Sequence, residues 1–455
     1  RLTRSTFFKM LTPNQQGNFI IQFAMGDSAG IDEVATINFY GEYFSGYANE
    51  YKAPPEDFDP NLIDVFLRVL NDPASEQRVD VTYIIAKLMH CAAIAHAFAD
   101  RGACTVLADY VLDPHKTIRL NCLSGLVDMA RHCSVCNKAV RATNVMDAIE
   151  ALMRSAPVQP FNVLTNAALC NSAILKVNDA NVFQVTGLIP LIVNAMKYYE
   201  TESELIESSL LALAVFANKD TFTDSDLRTS NIEAILAEKV LIEIVFKVIG
   251  SGNPTLSRYA LQLIARIVQG GTNAQREPLI MRNGFVKIIG KCVDSTWRSV
   301  QIQAASVLAI MADGPRHHIE LILKEVEVIV QLMPLFHHDD KKMQEQICWI
   351  FAGLFGSSAD KPELTMEEFV ENGVRTIVDF ATKSGADTQI VNMIREVLPK
   401  QLLTHAEFAR IVEQSSRESR NAKFHLKMGF LSSLALFTKF ACFRAVTLAH
   451  SVVRH

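Results

Sequence analysis

A landmark that returns about every 45 residues restricts this chain to a stack of similar helical units, because a period of that length marks a repeat rather than a single globular core. The clearest unit spans 181–220. It opens with Phe183-Gln-Val-Thr-Gly187-Leu-Ile-Pro190, a glycine and proline start to an apolar helix, and closes with Ser209-Leu-Leu-Ala212-Leu213-Ala-Val215-Phe216-Ala217. The position of Gly187 can be followed along the chain as Asn61, Gly102, Asn144, Gly187, Lys239, Gly284, Glu325 and Gly373, with extra residues near 220–230 and 356–366. A second landmark keeps the same register. It is an apolar stripe written Val81…Ile84-Ile85…Leu88, Cys122…Gly125-Leu126…Met129-Ala130, Ser257…Ala260-Leu261…Ile264-Ala265, Ala304…Val307-Leu308…Met311-Ala312 and Cys348…Phe351-Ala352…Phe355-Gly356. Stripe positions one, four, five, eight and nine share one face of a 3.6-residue helix, and small residues at its ends let helices approach closely. One unit cannot bury such a face alone, so adjacent units must stack.

These two landmarks resemble the armadillo repeat, which writes a Gly-Ala-Ile-Pro-like helix start and a third helix reading Ala-x-x-Ala-Leu-x-Asn-Leu-Ala. The resemblance, of the armadillo or HEAT class, covers about 56–400. It implies an all-α, right-handed superhelix of about seven to eight three-helix repeats whose third helices line a long concave groove. Punctuation between helices agrees: Asn71-Asp72-Pro73, Asp113-Pro114, Ser251-Gly252-Asn253-Pro254 and Gly314-Pro315 read as loops. The expected organisation is an N-terminal arm or cap (1–55), the repeat solenoid (56–400) and a C-terminal helical cap (401–455).

The N-terminal segment crowds Phe39, Tyr40, Tyr43, Phe44, Tyr47 and Tyr51 ahead of Pro54-Pro55. Tyrosines three and four residues apart suit one helix face capping the first repeat, and an aromatic docking arm is the other reading. Asn18–Phe23 and Val34–Phe44 could also pass for strands. At the other end, the polar, basic stretch 415–423 precedes an apolar run from Met428 to Ala449 that contains Phe430, Phe437, Phe440 and Phe443. Lys439 and Arg444 interrupt that run, so it reads as a packed or interfacial helix in preference to a membrane span.

Hydrophobic residues at 49% and charged residues at 20% describe a folded chain with a large buried surface. A net charge of -5 and a pI near 6.2 give no sequence-wide basic field, so nucleic acid is not an expected partner. Nine cysteines, an odd number set within apolar helical patterns, read as free thiols in a reducing compartment, which makes a cytoplasmic location the expectation. The first acidic residue is Asp27, with Arg1, Arg4 and Lys9 ahead of it. A basic, acid-poor start has the character of a processed mitochondrial leader, and a trimmed start explains it equally well.

Catalytic motifs are not found. Ile249-Gly-Ser-Gly-Asn-Pro and Gln269-Gly-Gly-Thr-Asn lack the spacing and lysine of a phosphate loop and read as turns. Cys133 and Cys136 share a spacing suited to zinc but have no second ligand pair, so they are weak metal candidates, and a reactive dithiol on a loop is a further reading. His317-His318 and His337-His338 are expected on solvated loops. No cofactor is expected. Importin-alpha-type armadillo proteins carry a Trp-x-x-x-Asn ladder on their third helices; here the asparagine positions are occupied by Lys87, Asp128, Val215, Leu263, Ile310 and Leu354. Gln301, four after Trp297, keeps an amide but precedes the stripe that begins at Ala304.

These readings combine into a non-enzymatic protein-binding scaffold or adaptor, a structural component of a larger assembly. The expected partners are folded surfaces or helices, met by Lys87, Asp128 and Arg266 on the third helices and by Phe39, Tyr43, Phe437 and Phe440 at the ends. A peripheral subunit of an organellar membrane complex, contacting it through the C-terminal segment, and an enzyme with a dispersed site are the alternatives. Gly187, placed at a tight turn, is expected to resist substitution by valine.

Overall fold

The computed structural model describes residues 60–132, 134–175, 183–337, 339–356, 366–383 and 388–404, with Ile37, Asn38, Tyr40 and Phe408. Among the described residues every regular element is helical. The chain divides into two compact units, one through Arg282 and one from Asn283.

The first unit opens with α1 (Leu62–Asn71) and α2 (Arg78–Leu88). A trio follows, α3 (Ala92–Asp100), α4 (Ala103–Asp109) and α5 (Lys116–His132), then a second, α6 (Ser134–Arg141), α7 (Val145–Arg154) and α8 (Phe161–Leu175). Next come the pair α9 (Leu188–Tyr198) and α10 (Ser203–Phe216), and the trio α11 (Ser225–Ala237), α12 (Lys239–Ile249) and α13 (Pro254–Gly270). Helix α14 (Asn273–Ile280) ends the unit. The long third helices α2, α5, α8, α10 and α13 pack side by side in that order.

The second unit contains α15 (Phe285–Val293) and α16 (Arg298–Ala312), followed by α17 (Arg316–Lys324), α18 (Val326–Leu332) and α19 (Lys341–Gly356). It continues with α20 (Met366–Lys383) and α21 (Thr388–Thr404). Helix α16 packs on α19, α19 on α20, and α20 on α21.

The stripes read from sequence form the core: Val81, Ile84, Ile85 and Leu88 are buried on α2, as are Ala260, Leu261, Ile264 and Ala265 on α13 and Ala304, Val307, Leu308 and Met311 on α16. The glycine landmark has more than one physical origin. Gly102 and Gly284 have φ of +76° at the starts of α4 and α15, the left-handed region where a side chain is strained. Gly373 instead lies inside α20 against the Phe355 ring. Gly187 corrects the expectation made of it, because its φ is −70° and nothing lies within 4 Å of where a Cβ would stand. No turn requires a glycine there.

Side chains tie one repeat to the next at helix ends, where backbone groups lack intrahelical partners. Asn137 on α6 donates its amide to the carbonyls of Ala130 (3.0 Å) and Ala173 (3.1 Å), joining the ends of α5 and α8. Arg228 on α11 donates to the carbonyls of Phe222 (3.0 Å) and Gly270 (3.2 Å). At the opposite ends of the third helices, Arg78 meets Asp113 at 2.6 Å, and the same device recurs in the second unit as Arg298 with Asp340, Nε to Oδ2 2.8 Å.

At the N-terminal end Ile37 and Tyr40 are buried, and the Tyr40 ring meets Phe66 of α1 edge-on, with centroids 5.8 Å apart. The strand reading of Val34–Phe44 is therefore corrected at its described positions, since Ile37, Asn38 and Tyr40 are helical. Phe39 and Tyr43 lie outside the described residues, as do Phe437 and Phe440. Among the described residues no helix is long and apolar enough to cross a membrane.

Candidate protein-binding face

Four of the third helices of the first unit, α2, α5, α10 and α13, bury their stripe and leave a narrow face open. Two residues after the stripe begins, Tyr83, Ser124, Leu211 and Tyr259 are half-exposed. Six residues after it, at the position that holds asparagine in the family, Lys87 and Asp128 are half-exposed while Val215 and Leu263 are buried. In the second unit Ile310 is half-exposed and Leu354 is buried at that position. The amide of Gln301 is occupied locally, donating to the carbonyl of Val293 at 3.1 Å.

The three charged residues singled out from sequence sit on different helices, and the structure does not bring them together. Lys87 on α2 places its ammonium 5.5 Å from the Tyr83 ring centroid, within range of the ring's negative face. Asp128 on α5 pairs with His90, Oδ2 to Nδ1 3.0 Å. Arg266 on α13 donates to Gln269 at 3.1 Å and stands 4.0 Å from Asp220. Helices α8 and α10 separate it from α5.

Sequence reasoning missed Asn171. It occupies the family's asparagine position on α8 within Ala168-Leu-Cys-Asn171-Ser-Ala173 and is fully buried, with neither its Oδ1 nor its Nδ2 paired among the described residues. The signal was that local match to Ala-Leu-x-Asn. It was hidden because α8 is buried at almost every position from Val163 to Leu175, which gives the stripe no readable phase.

The thiol and imidazole expectations change. Cys136 is not on a loop: it lies within α6, fully buried, with Sγ 3.9 Å from Nδ1 of His96, while Cys133 falls outside the described residues. Burial pushes the thiols of Cys104 and Cys292 up to about 11 and that of Cys170 up to about 12, and Cys122 higher still. A thiol so shifted is not a thiolate near neutral pH and is a poor nucleophile or metal ligand. His317 and His318 belong to helix α17, not a loop, and His318 is buried. His337 ends a 3-10 turn, and His338 is outside the described residues.

No family model matches the chain, and no curated protein matches it. Among solved structures it is similar to an engineered protein from the Northeast Structural Genomics Consortium, with a TM-score of 0.60 at 18% identity, covering 90% of this chain and 99% of that one. A designed armadillo repeat protein in complex with the peptide (KR)4 matches at a TM-score of 0.35 and 15% identity, over 65% of this chain and 98% of that one. Computationally designed armadillo repeat proteins for modular peptide recognition match at 0.37 and 15%, with the same coverage. Over its described residues the chain is an all-helical repeat protein, and its two- and three-helix units stacked through their third helices make an armadillo-like fold.

Proposed function

We propose that the chain is a non-enzymatic scaffold or adaptor that holds another protein against the open face of its third helices. The observation that carries this reading is the changing chemistry of that face, with a lysine over tyrosine on α2, an aspartate on α5 paired to His90 from the turn after α2, and an arginine on α13. Such a sequence of unlike groups suits a folded surface or a helix, whose own backbone is already satisfied, better than an extended peptide needing the same anchor at every repeat. None of the described cysteines forms a disulfide, and burial holds Cys104, Cys122, Cys170 and Cys292 un-ionised, so these four are poor nucleophiles and fit a cytoplasmic setting.

The test is a native purification of the tagged full chain beside the double variant Lys87→Glu with Asp128→Lys. The proposal expects a stoichiometric protein partner with the wild type and its loss with the variant, at an unchanged melting temperature. A partner retained by the variant, or tight binding of a lysine-rich peptide to the wild type, contradicts the reading.

A further inference from the structure

A stack of repeats leaves an apolar face at each end, and that face has to be covered for the protein to stay soluble. At the first end the chain covers it with its own extension, through Ile37 and Tyr40 on α1. At the other end no described helix follows α21, and the hairpin of α20 and α21 carries an open groove of about 440 Å³. Its floor is aliphatic: Val370, Val374 and Val378 from α20 face Pro399 and Leu403 from α21. Leu403 is 44% exposed and Val397, on the same helix, 39%, whereas Val391, Ile394, Leu398 and Leu402 of that helix are buried. The rim carries two acids and two bases, Glu371 and Asp379 against Arg375 and Arg395, so it selects no strong charge of either sign. An apolar segment fits such a groove, and an acidic or basic peptide has nothing to gain from it.

We propose that the occupant is the apolar run from Gly429 to Ala449 of the same chain. The course of the chain supports this. Four residues beyond α21, Phe408 is buried with its ring edge-on to Phe355 of α19, centroids 6.2 Å apart, so at that point the polypeptide is packed on the second unit. From Phe408 to Gly429 there are 21 residues, which reach up to about 70 Å when extended, far more than the width of a helical hairpin. Within the run Phe430, Leu434, Phe437 and Ala441 recur at spacings of four, three and four, a stripe that one helix face would present to the valine floor. An intramolecular occupant also has the advantage of a high effective concentration set by that short tether.

The test places a photo-crosslinking benzoylphenylalanine at Leu403 in the full chain and maps the products by mass spectrometry, using mixed light and isotope-labelled chains. The expected result is crosslinks from position 403 to peptides within 429–449 of the same isotopic chain. A companion protein carrying Leu434→Asp and Phe437→Asp should lose that product more than about tenfold, since each change puts a charge on the stripe that the proposal sets against the valine floor. Its helical signature should remain, because neither residue belongs to a described repeat. Crosslinks that join light to heavy chains would assign the groove to a second copy and overturn the proposal. So would crosslinks to any other segment, no product at all, or an equal yield in the companion protein.

Discussion

Replacing Gly353 with alanine adds one carbon atom at the closest approach of two third helices. Gly353 lies on α19 over the end of α16, and an added Cβ would stand 2.7 Å from the carbonyl carbon of Ala312 and 2.9 Å from its Cβ. The obstacle is largely backbone, so no side chain can rotate out of the way and the helices must separate. Overpacking of this kind costs about 1–3 kcal/mol, and an immobile obstacle belongs at the upper end. Alanine in a helix interior returns about 1 kcal/mol relative to glycine, which leaves a net loss of about 1–2 kcal/mol. Gly125, in the equivalent third helix α5, isolates the two effects, because its added Cβ would meet Leu107 and Met89 side chains at 3.6 Å, an ordinary contact. Gly125→Ala should therefore keep most of the propensity gain, about 0.5–1 kcal/mol. For units of this size each kcal/mol moves the midpoint about 2–4 °C, so thermal unfolding followed by circular dichroism should show Gly353→Ala melting several degrees below wild type and Gly125→Ala at or above it. Equal midpoints, or Gly353→Ala as the more stable of the two, would refute the close approach of α19 to α16.

Three further outcomes are expected. Asn171→Leu should stabilise the first unit by about 1–3 kcal/mol in denaturant titration, because it replaces two unpaired buried polar atoms with the kind of side chain that Leu263 supplies at the same position on α13; a loss of stability would show that the amide is paired. The Arg298 hydrogen bond, then the Lys342 backbone bond, hold the Asp340 carboxyl below its ordinary value of 3.8, so its stabilisation is complete above that value and fades as pH falls through the depressed one. Asp340→Asn should accordingly melt below wild type at pH 7 and converge with it in strong acid, and a gap that persists there would sink the assignment. Maleimide labelling of the native protein near pH 7, read peptide by peptide, should spare the buried Cys104, Cys122, Cys170, Cys292 and Cys348 and modify Cys91, whereas fast labelling of the buried set would contradict their burial.

Much of the fold was legible because the stripe is a matter of burial, and burial is what apolar spacing reports. Val81 to Leu88 and Ala304 to Ala312 occupy the core where the pattern put them. Single landmarks were less transferable. The glycine position marks a left-handed turn at Gly102 and Gly284, a packing contact with Phe355 at Gly373, and an unconstrained residue at Gly187, and spacing alone cannot separate a backbone need from a steric one. The boundary between units at 282/283 has no sequence sign, since the landmark at Gly284 falls in step across it. Polar residues within helices were the weakest point. His318 and Cys136 were placed on loops by their flanking turns, yet each lies inside a helix and is buried, a tertiary outcome that local composition does not encode.

The proposed preference for a folded or helical partner rests on hydrogen-bond accounting along the third helices. An extended peptide brings unpaired amide groups to the surface, and each one left buried without a partner costs about 1–3 kcal/mol. A ladder of asparagines meets that need, but successive helices here offer Lys87, Asp128, Asn171, Val215 and Leu263. Lys87 can only donate and Asp128 can only accept, and the latter is already engaged by His90. Asn171 has the right amide but is closed off from the surface, and Val215 and Leu263 offer nothing polar. A peptide laid across α8, α10 and α13 would therefore leave several backbone groups unsatisfied, a loss that the half-exposed rings of Tyr83 and Tyr259 are too far apart along the stack to offset. A helix carries its backbone hydrogen bonds within itself and meets no such penalty. It can rest its apolar face on Leu211 and its charges near Asp128 and Arg266, so the same residues that disqualify an extended ligand are compatible with a helical one.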